Sequence, residues 1–438
     1  MTFRSLWITG LLLASGSAQP VDLVTVYQEA IQANPQLAAA AANLRAVREK
    51  RPQAMADLLP ALDASGSLDT TRQEDLDNSN STDNTTNKLA SLDLVQPLFR
   101  YDRWIKLQQT DSTIAGAEAT YAAAQQNLMV QVSERYFDVL EAQDSLEYSK
   151  SEKSAIGRQL EQMTQKFELG LIANTDVKAA QARYDISISD EIQALSQLVG
   201  SKDSLRRVVG TYHEQLVPLK ADLQLVRPEP DSLETWIESA KRQNVTILAT
   251  QAARESARQE MRIQRAGHLP TLDLTANASY FDREFGGVLS QERFDSGIGL
   301  KANLPLYHGG AISSRTREAR IRFDEATNLL EDQILTVELD TRNAFRGIET
   351  DIALVKALGK TLESTEVAVK SEEAGFAAGT RTIVDVLNAQ RENYLARFKY
   401  ARARYQYVIH QLQLKKAAGT LSGDDLIEVN SKLSSNIR

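Results

Sequence analysis

Hydrophobic positions in this chain follow two periods, and the order in which the periods alternate occurs twice. In residues 22–58, Leu23, Tyr27, Ile31 and Leu37 recur at helical spacing, so the segment reads as one helix ended by Pro60. Residues 61–70 switch to period two. Leu62, Ala64, Gly66 and Leu68 fall on one face, and Asp63, Ser65, Ser67 and Asp69 on the other, which predicts a strand. Residues 71–87 are almost wholly polar and read as a solvated loop. A second strand is expected over 88–99, with Ala90, Leu92 and Leu94 against Ser91 and Asp93. From Tyr101 to Leu169 there is no proline and little glycine. That predicts one helix of roughly 100 Å at about 1.5 Å per residue, far beyond ordinary helix lengths. A rod this long persists only when packed lengthwise on others, and Ala115, Ala119, Ala122 and Ala123 allow close approach. Gly170 supplies the positive φ that a helix reversal needs. A return helix is expected over 175–209.

The second half repeats the scheme. Strands are expected over 270–281 and 296–306, with a polar loop over 282–295 that contains Gly286-Gly287. A proline-free helix follows over 312–378, then a tip near Gly379, then a return helix over 383–418. Leu59-Pro60-Ala61-Leu62-Asp63 returns as Leu269-Pro270-Thr271-Leu272-Asp273. Pro97-Leu98-Phe99 returns as Pro305-Leu306-Tyr307. Gly170, Asp176 and Gln181 return as Gly379, Asp385 and Gln390. Landmarks this far apart sharing an offset of about 210 residues argue for an internal duplication. The division is a first repeat at 19–210, a proline-bearing linker at 211–232, a second repeat at 233–418 and an irregular C-terminal segment at 419–438. The fold class expected is α+β.

Residues 1–18 read as a secretory signal: Arg4, an apolar run from Leu6 to Ala14, and the small residues Gly16-Ser17-Ala18. The other reading is a buried N-terminal helix. No later segment is long and apolar enough for a membrane helix. The alternating segments, however, have the length of about ten residues that suits tilted membrane strands. Phe99, Tyr101 and Tyr307 stand at strand ends, where an aromatic girdle would lie. A small soluble antiparallel sheet fits the same pattern, and both readings stay open at this point. If the strands span a membrane, one chain with two hairpins cannot close a barrel, which takes at least about eight strands. Closure then requires a dimer or a trimer.

Composition narrows the function. The net charge is −8, with acids and bases intermixed, so a nucleic-acid partner is not indicated. Aromatics make up 6%, which favours extended helices over a thick core. There is no cysteine, which removes thiol nucleophiles, thiolate metal sites and disulfides. His213, His268, His308 and His410 show no ligand spacing. No phosphate-cradling glycine loop, His-Glu-x-x-His or Gly-x-Ser-x-Gly occurs. No enzyme, catalytic residue, metal or cofactor is expected. The sequons at Asn80 and Asn84 mark polarity in a surface loop.

Together the duplicated order, the segment Gly267-His268-Leu269-Pro270-Thr271-Leu272-Asp273-Leu274-Thr275, the segment Gly379-Thr380-Arg381-Thr382-Ile383-Val384-Asp385-Val386-Leu387, Arg183-Tyr184-Asp185 and Ala403-Arg404-Tyr405-Gln406-Tyr407 carry a resemblance. They resemble the outer membrane efflux protein (outer membrane factor) family of Gram-negative channel-tunnels, over nearly the whole mature chain. The resemblance implies a homotrimer: a twelve-stranded β-barrel in outer membrane lipid, four strands per chain, continuous with a long α-helical coiled-coil barrel in the periplasm. It implies a passive exit duct for multidrug efflux and type I protein secretion. The implied partners are a periplasmic adaptor (membrane fusion) protein and an inner-membrane RND, ABC or MFS transporter. The alternative is a soluble periplasmic helical-hairpin adaptor or scaffold.

The resemblance also places a gate at the glycine tips. Thr175 and Asp176 of one hairpin and Arg381 of the other match the family's gate links, and an Asp–Arg pair can break without rearranging the fold. Phe376 stands where the family has a tyrosine, so that hydroxyl is lost. Asp385 matches the first of two aspartate rings at the entrance constriction, and Asn388 stands at the second. A weaker cation preference and weaker block by multivalent cations are expected. Leu169, Gly170 and Leu171, with Ala378, Gly379 and Thr380, match the tips that dock the adaptor.

Overall fold

The computed structural model describes residues 20–74, 82–285 and 289–434. The expected signal at 1–18, the sequon at Asn80 and the Gly286-Gly287 pair lie outside the described residues. The elements run α1 (Leu23–Ala33), α2 (Pro35–Arg48), α3 (Lys50–Ala56), β1 (Ala61–Glu74), β2 (Thr82–Phe99), α4 (Tyr101–Glu168), α5 (Asn174–Val209), α6 (Leu233–Gln243), α7 (Val245–Ala266), β3 (Thr271–Phe285), β4 (Leu289–Asn303), α8 (Ala311–Ala377), α9 (Ile383–Ala417) and α10 (Gly423–Ser431). The long helices α4 and α8 are unbroken over 68 and 67 residues. The chain divides into two compact units. One comprises Ala39–Ala123 and Val245–Thr336; the other comprises the chain up to Ala38, Ala124–Asn244 and Val337 onward.

The first unit carries one antiparallel sheet in the order β1-β2-β3-β4. Its register aligns the alternation across all four strands. Leu62, Leu94, Ala276 and Ile298 form one row, and Ala64, Leu92, Ala278 and Ser296 the next on that face. The opposite face carries rows such as Ser65, Ser91, Ser279 and Asp295. There Ser65 Oγ and Ser91 Oγ lie 2.8 Å apart, and Ser91 donates to Asp93 Oδ2 at 2.9 Å. Among the described residues nothing covers the apolar face: Ile298 is 80% exposed and Leu300 68%. β1 and β4 have no partner on their outer sides among the described residues.

The strands are longer than the hydrophobic pattern predicted. The segments expected as loops, 71–87 and 282–295, are largely ladder, as in the pairs Arg72↔Asn84 and Glu284↔Ser290. Alternation stops where both faces are wet, but backbone pairing does not need it. Polar cross-strand contacts take over: Lys88 Nζ–Asp282 Oδ2 at 3.1 Å and Arg283 Nε to Asn87 Oδ1 at 2.7 Å. β4 stops at Asn303 rather than 306 because Pro305 has no N–H to give the ladder. At the other end of the sheet Arg100 clamps Asp273 with two bonds, Nε to Oδ1 at 2.9 Å and Nη2 to Oδ2 at 2.6 Å.

The second unit shows the duplication in its joints. The single helix expected over 22–58 is three helices: a turn at Glu49 parts α2 from α3, and α1 parts from α2 because Asn34 leaves the helical region and its Oδ1 accepts from Gln36 N and Leu37 N. Pro35 then begins α2 at a position where its missing N–H is harmless. The buried Asn34 side chain also donates to the Val208 carbonyl at 3.2 Å. Asn244, equally buried, breaks α6 from α7 and donates to the Ala417 carbonyl at 2.8 Å. Each break therefore ties down the end of its repeat's return helix. The linker is strapped through the parallel bridge Val21↔Leu216 and the antiparallel bridge Leu219↔Leu433. The fully buried Tyr136 donates from its hydroxyl to the Val217 carbonyl at 2.7 Å. The C-terminal segment expected to be irregular contains α10, opened by a Ser422–Asp425 capping box.

Candidate functional site

The candidate site is the pair of helical turns in the second unit. At the first turn α4 ends with Gly170 at φ 73°. Gly170 N donates to the Phe167 carbonyl at 2.8 Å and Leu171 N to the Lys166 carbonyl at 2.9 Å, which satisfies the last carbonyls of the helix. Leu169 and Leu171 flank the glycine and stand 74% and 68% exposed. At the second turn Gly379 takes φ 74°, and Thr380 N and Oγ1 both donate to the Gly375 carbonyl, at 2.9 and 3.0 Å. Ala378 and Thr380 are exposed beside it.

Above both turns one apolar cluster holds the two hairpins together. Ile156, Met163, Ala180, Ile383, Val386 and Leu387 are buried in it. Phe376 packs against this cluster, and Lys166 Nζ lies 4.6 Å from the centre of its ring. The aromatic position thus joins α4 to α8 through packing and a cation–π contact, with no hydroxyl required.

The polar residues of the site sit around that cluster. Thr382 caps α9: Asp385 N donates to Thr382 Oγ1 at 3.3 Å, and Thr382 N and Oγ1 donate to Asp385 Oδ2 at 2.9 and 2.7 Å. The bond from the Thr382 hydroxyl, then that from its backbone N–H, holds the Asp385 carboxyl below its usual range, and Arg381 adds to this. Asp385 is therefore an anion throughout the ordinary pH range. Asn388 lies one turn further on and is exposed. Its Oδ1 is 3.4 Å from Arg183 Nη2 of α5.

Within one chain the structure does not bring Asp176 and Arg381 together. The ion pair of Arg381 is with Glu372 of α8, at 3.4 Å. The Arg381 side chain remains 57% exposed. Thr175 is exposed and Asp176 half-buried at the start of α5, and the Asp176 N–H donates to the Ala173 carbonyl at 3.1 Å. Sequence reasoning missed Glu372 and Lys166, and it named Arg183 only as part of a family-like segment, with no role at the site. The first two lie in helices preceding the turns, and no local motif links them to Arg381 or Phe376. The Thr382-x-x-Asp385 spacing, by contrast, is a readable capping signature.

Among the described residues no cluster of three or more His, Asp or Glu could hold a metal ion. No described helix is long and apolar enough to cross a membrane. The arrangement is one of turns, apolar packing and an ion pair at Arg381.

Comparison with known proteins agrees with this architecture. The family model described as "Outer membrane efflux protein" matches residues 26–211 and 236–420, one match in each half. The chain is 34% identical to the outer membrane protein TolC of Escherichia coli K12 over 442 aligned residues, covering 98% of this chain and 88% of the relative. It is 29% identical to the proteases secretion protein PrtF of Dickeya chrysanthemi, covering 96% and 92%. The crystal structure of the outer membrane protein VceC from Vibrio cholerae superposes with a TM-score of 0.77 at 18% identity, covering 91% of this chain and 96% of that one. With a family match in each half and a full-length relative at this identity, the chain belongs to the outer membrane efflux protein family.

Proposed function

We infer that this chain is an outer membrane channel that serves as the passive exit duct for efflux and type I secretion. The observation that carries this reading is the sheet. Its apolar rows run in register across the strands, and among the described residues nothing covers them and neither edge strand has an outer partner. A soluble scaffold would leave those rows in water. In a bilayer the rows match the solvent, but an open edge there would strand several N–H and C=O groups without partners. Copies of the chain must therefore pair β4 of one with β1 of the next. Three copies give the twelve-stranded barrel of the homotrimer, and the helices then lie in the periplasm.

The repeats at 19–210 and 233–418 would then alternate around the duct, so each turn has the other repeat's turn as its neighbour. The gate works by links between copies. Arg381 is held loosely by Glu372 in its own chain, which leaves it free to reach Asp176, with Thr175 beside it, on a neighbour. Phe376 anchors the moving hairpin by packing. Asp385 and Asn388 line the entrance, where one ring of carboxylates remains. The exposed Leu169 and Leu171 around Gly170, and Ala378, Gly379 and Thr380, dock a periplasmic adaptor that brings an RND, ABC or MFS transporter of the inner membrane. No chemistry is performed in the duct; energy comes from the transporter.

The test is conductance of the purified protein in a planar lipid bilayer, with its mass in detergent measured in parallel. Small, stable currents from a species of three copies are expected. A folded sample that forms no channels, or that stays in solution without detergent as a monomer, would overturn the reading.

A further inference from the structure

Arg183 reaches from the return helix of the first hairpin to that of the second. Its Nη2 lies 3.4 Å from Asn388 Oδ1, and Asn388 shares a helix face with Asp385 one turn away. On its other side Arg183 borders a cavity of about 390 Å³, where Glu152 of α4, Asp190 of α5, and Arg391 and Tyr394 of α9 also line the wall. Two guanidinium groups and two carboxylates face each other inside that cavity. Among the described residues no ion pair joins Arg183 to a carboxylate on the Asn388 side. A neutral amide at the outer limit of hydrogen-bond length orients a guanidinium without cancelling its charge.

We propose that Arg183 sets the charge selectivity of the duct entrance, as a positive ring beside the Asp385 carboxylates. This rests on the entrance reading given under the proposed function and adds a determinant to it. With Asn388 in place, each copy brings one anion, Asp385, and one cation, Arg183, to adjacent turns. Glu152 and Asp190 face Arg183 from the cavity side and take up part of its charge, so the field of the Asp385 ring is partly offset for an ion passing through. A carboxylate at position 388 would pair with Arg183 and be drawn into the wall, so its own effect on permeating ions would be muted.

Ion selectivity of single channels, read as the reversal potential in a salt gradient, tests this. Four variants are compared with the natural chain: Asp385→Ala, Arg183→Gln, Arg183→Lys and Asn388→Asp, the last also combined with Arg183→Gln. Asp385→Ala is expected to lower the cation-to-anion permeability ratio and Arg183→Gln to raise it. The change is at least about threefold, the effect of one unit charge a few ångströms from an ion in a water-filled passage, since each substitution alters the position in every copy. Arg183→Lys keeps the charge and is expected to leave the ratio near that of the natural chain. Asn388→Asp is expected to raise the ratio less in the natural background than in the Arg183→Gln background. If Asp385→Ala leaves the ratio unchanged, the entrance lies elsewhere and both readings fall. If Asp385→Ala shifts it while Arg183→Gln does not, the role of Arg183 alone falls. Equal shifts from Asn388→Asp in the two backgrounds also sink the role of Arg183, even should Arg183→Gln loosen the hairpins.

Discussion

Glu141 of α4 and Arg402 of α9 face each other across the two hairpins, with Oε1 and Nε 3.6 Å apart. Nearer the turns the same two helices set Glu152 against Arg391 on the wall of one cavity, in the antiparallel register that the first pair fixes. Asp190 and Arg183 of α5 and Tyr394 of α9 face Glu152 from the remaining sides. Burial pushes the Glu152 carboxyl up, Asp190 pushes it further, and Arg183 and Arg391 only partly counter this. Burial does the same to Glu141, with Asp138 and Asp144 adding to it and Arg402 opposing it.

A raised folded-state pKa means the folded chain holds a proton that the unfolded chain has lost. Stability therefore falls as pH rises from the unfolded value, near 4.5, to the raised one, and stays reduced above it. Glu152→Gln removes a charge that the folded chain carries at a disadvantage. It is expected to raise the melting temperature at about pH 7 and to lose that advantage as the pH approaches the unfolded carboxyl value. Thermal melts of the detergent-solubilised protein over this range check it. A lower melting temperature for Glu152→Gln at neutral pH would mean that the arginines outweigh burial.

Asp273 and Asp63 hold matching places in the two repeats, but only one is clamped. Arg100 binds both oxygens of the nearly buried Asp273, whereas Asp63 is exposed. Arg100→Ala leaves that carboxylate without its partner and is expected to cost about 2–3 kcal/mol of stability. Asp63→Asn is expected to change stability by under about 0.5 kcal/mol. Denaturant melts of the two variants check the contrast; similar losses would show that the clamp contributes little.

Gly419 and Gly210 close the return helices of the two repeats, each with positive φ. A Cβ on Gly419 would lie 2.3 Å from the Gln243 carbonyl oxygen, and one on Gly210 would lie 2.8 Å from Ala33 Cβ. A backbone carbonyl bound into a helix end cannot step aside as a side chain can. Gly419→Ala is expected to cost about 3 kcal/mol or more, and Gly210→Ala about 1–2 kcal/mol. Unfolding midpoints settle the order, and an equal or reversed order would contradict the steric argument.

What was legible in the sequence follows from which forces leave periodic traces. Leu62 and Leu94 fall on the apolar face of their own strands by alternation alone, because burial in an apolar medium acts at every second residue; the register that joins them to Ala276 and Ile298 leaves no such trace. Gly170 and Gly379 marked the turns because only the backbone freedom of glycine suits them. The break at Asn34 was lost inside an alanine-rich run, although Pro35 beside it is a start signal. The break at Asn244 carries no proline at all. The strand ends at Glu74 and Thr82 left no trace, since a ladder in water needs only backbone groups. At the candidate site Asp385 came from the family resemblance, although its Thr382-x-x-Asp385 spacing also carries a capping signal. Glu372, Lys166 and Arg183 were not readable as site residues, because they are brought there by packing between hairpins.

The intrachain pair Arg381–Glu372 gives the gate its sharpest prediction. If Arg381 also reaches Asp176 on a neighbouring copy, Glu372 competes with Asp176 for one guanidinium. Asp176→Ala combined with Arg381→Ala is then expected to increase single-channel conductance clearly, because the links between copies are gone. Glu372→Gln is expected to act the other way. With its internal partner neutralised, Arg381 turns fully to Asp176, and the closed state lasts longer with no rise in conductance. Arg381 is 57% exposed, so each pair is expected to be worth about 1 kcal/mol at most, and the closed lifetime should lengthen by a few-fold at most and shorten again in high salt. Paired bilayer recordings of the double variant and Glu372→Gln decide the matter. A conductance that rises in both variants would make the Arg381–Glu372 bond itself the latch, and the closing contact would then lie within each chain.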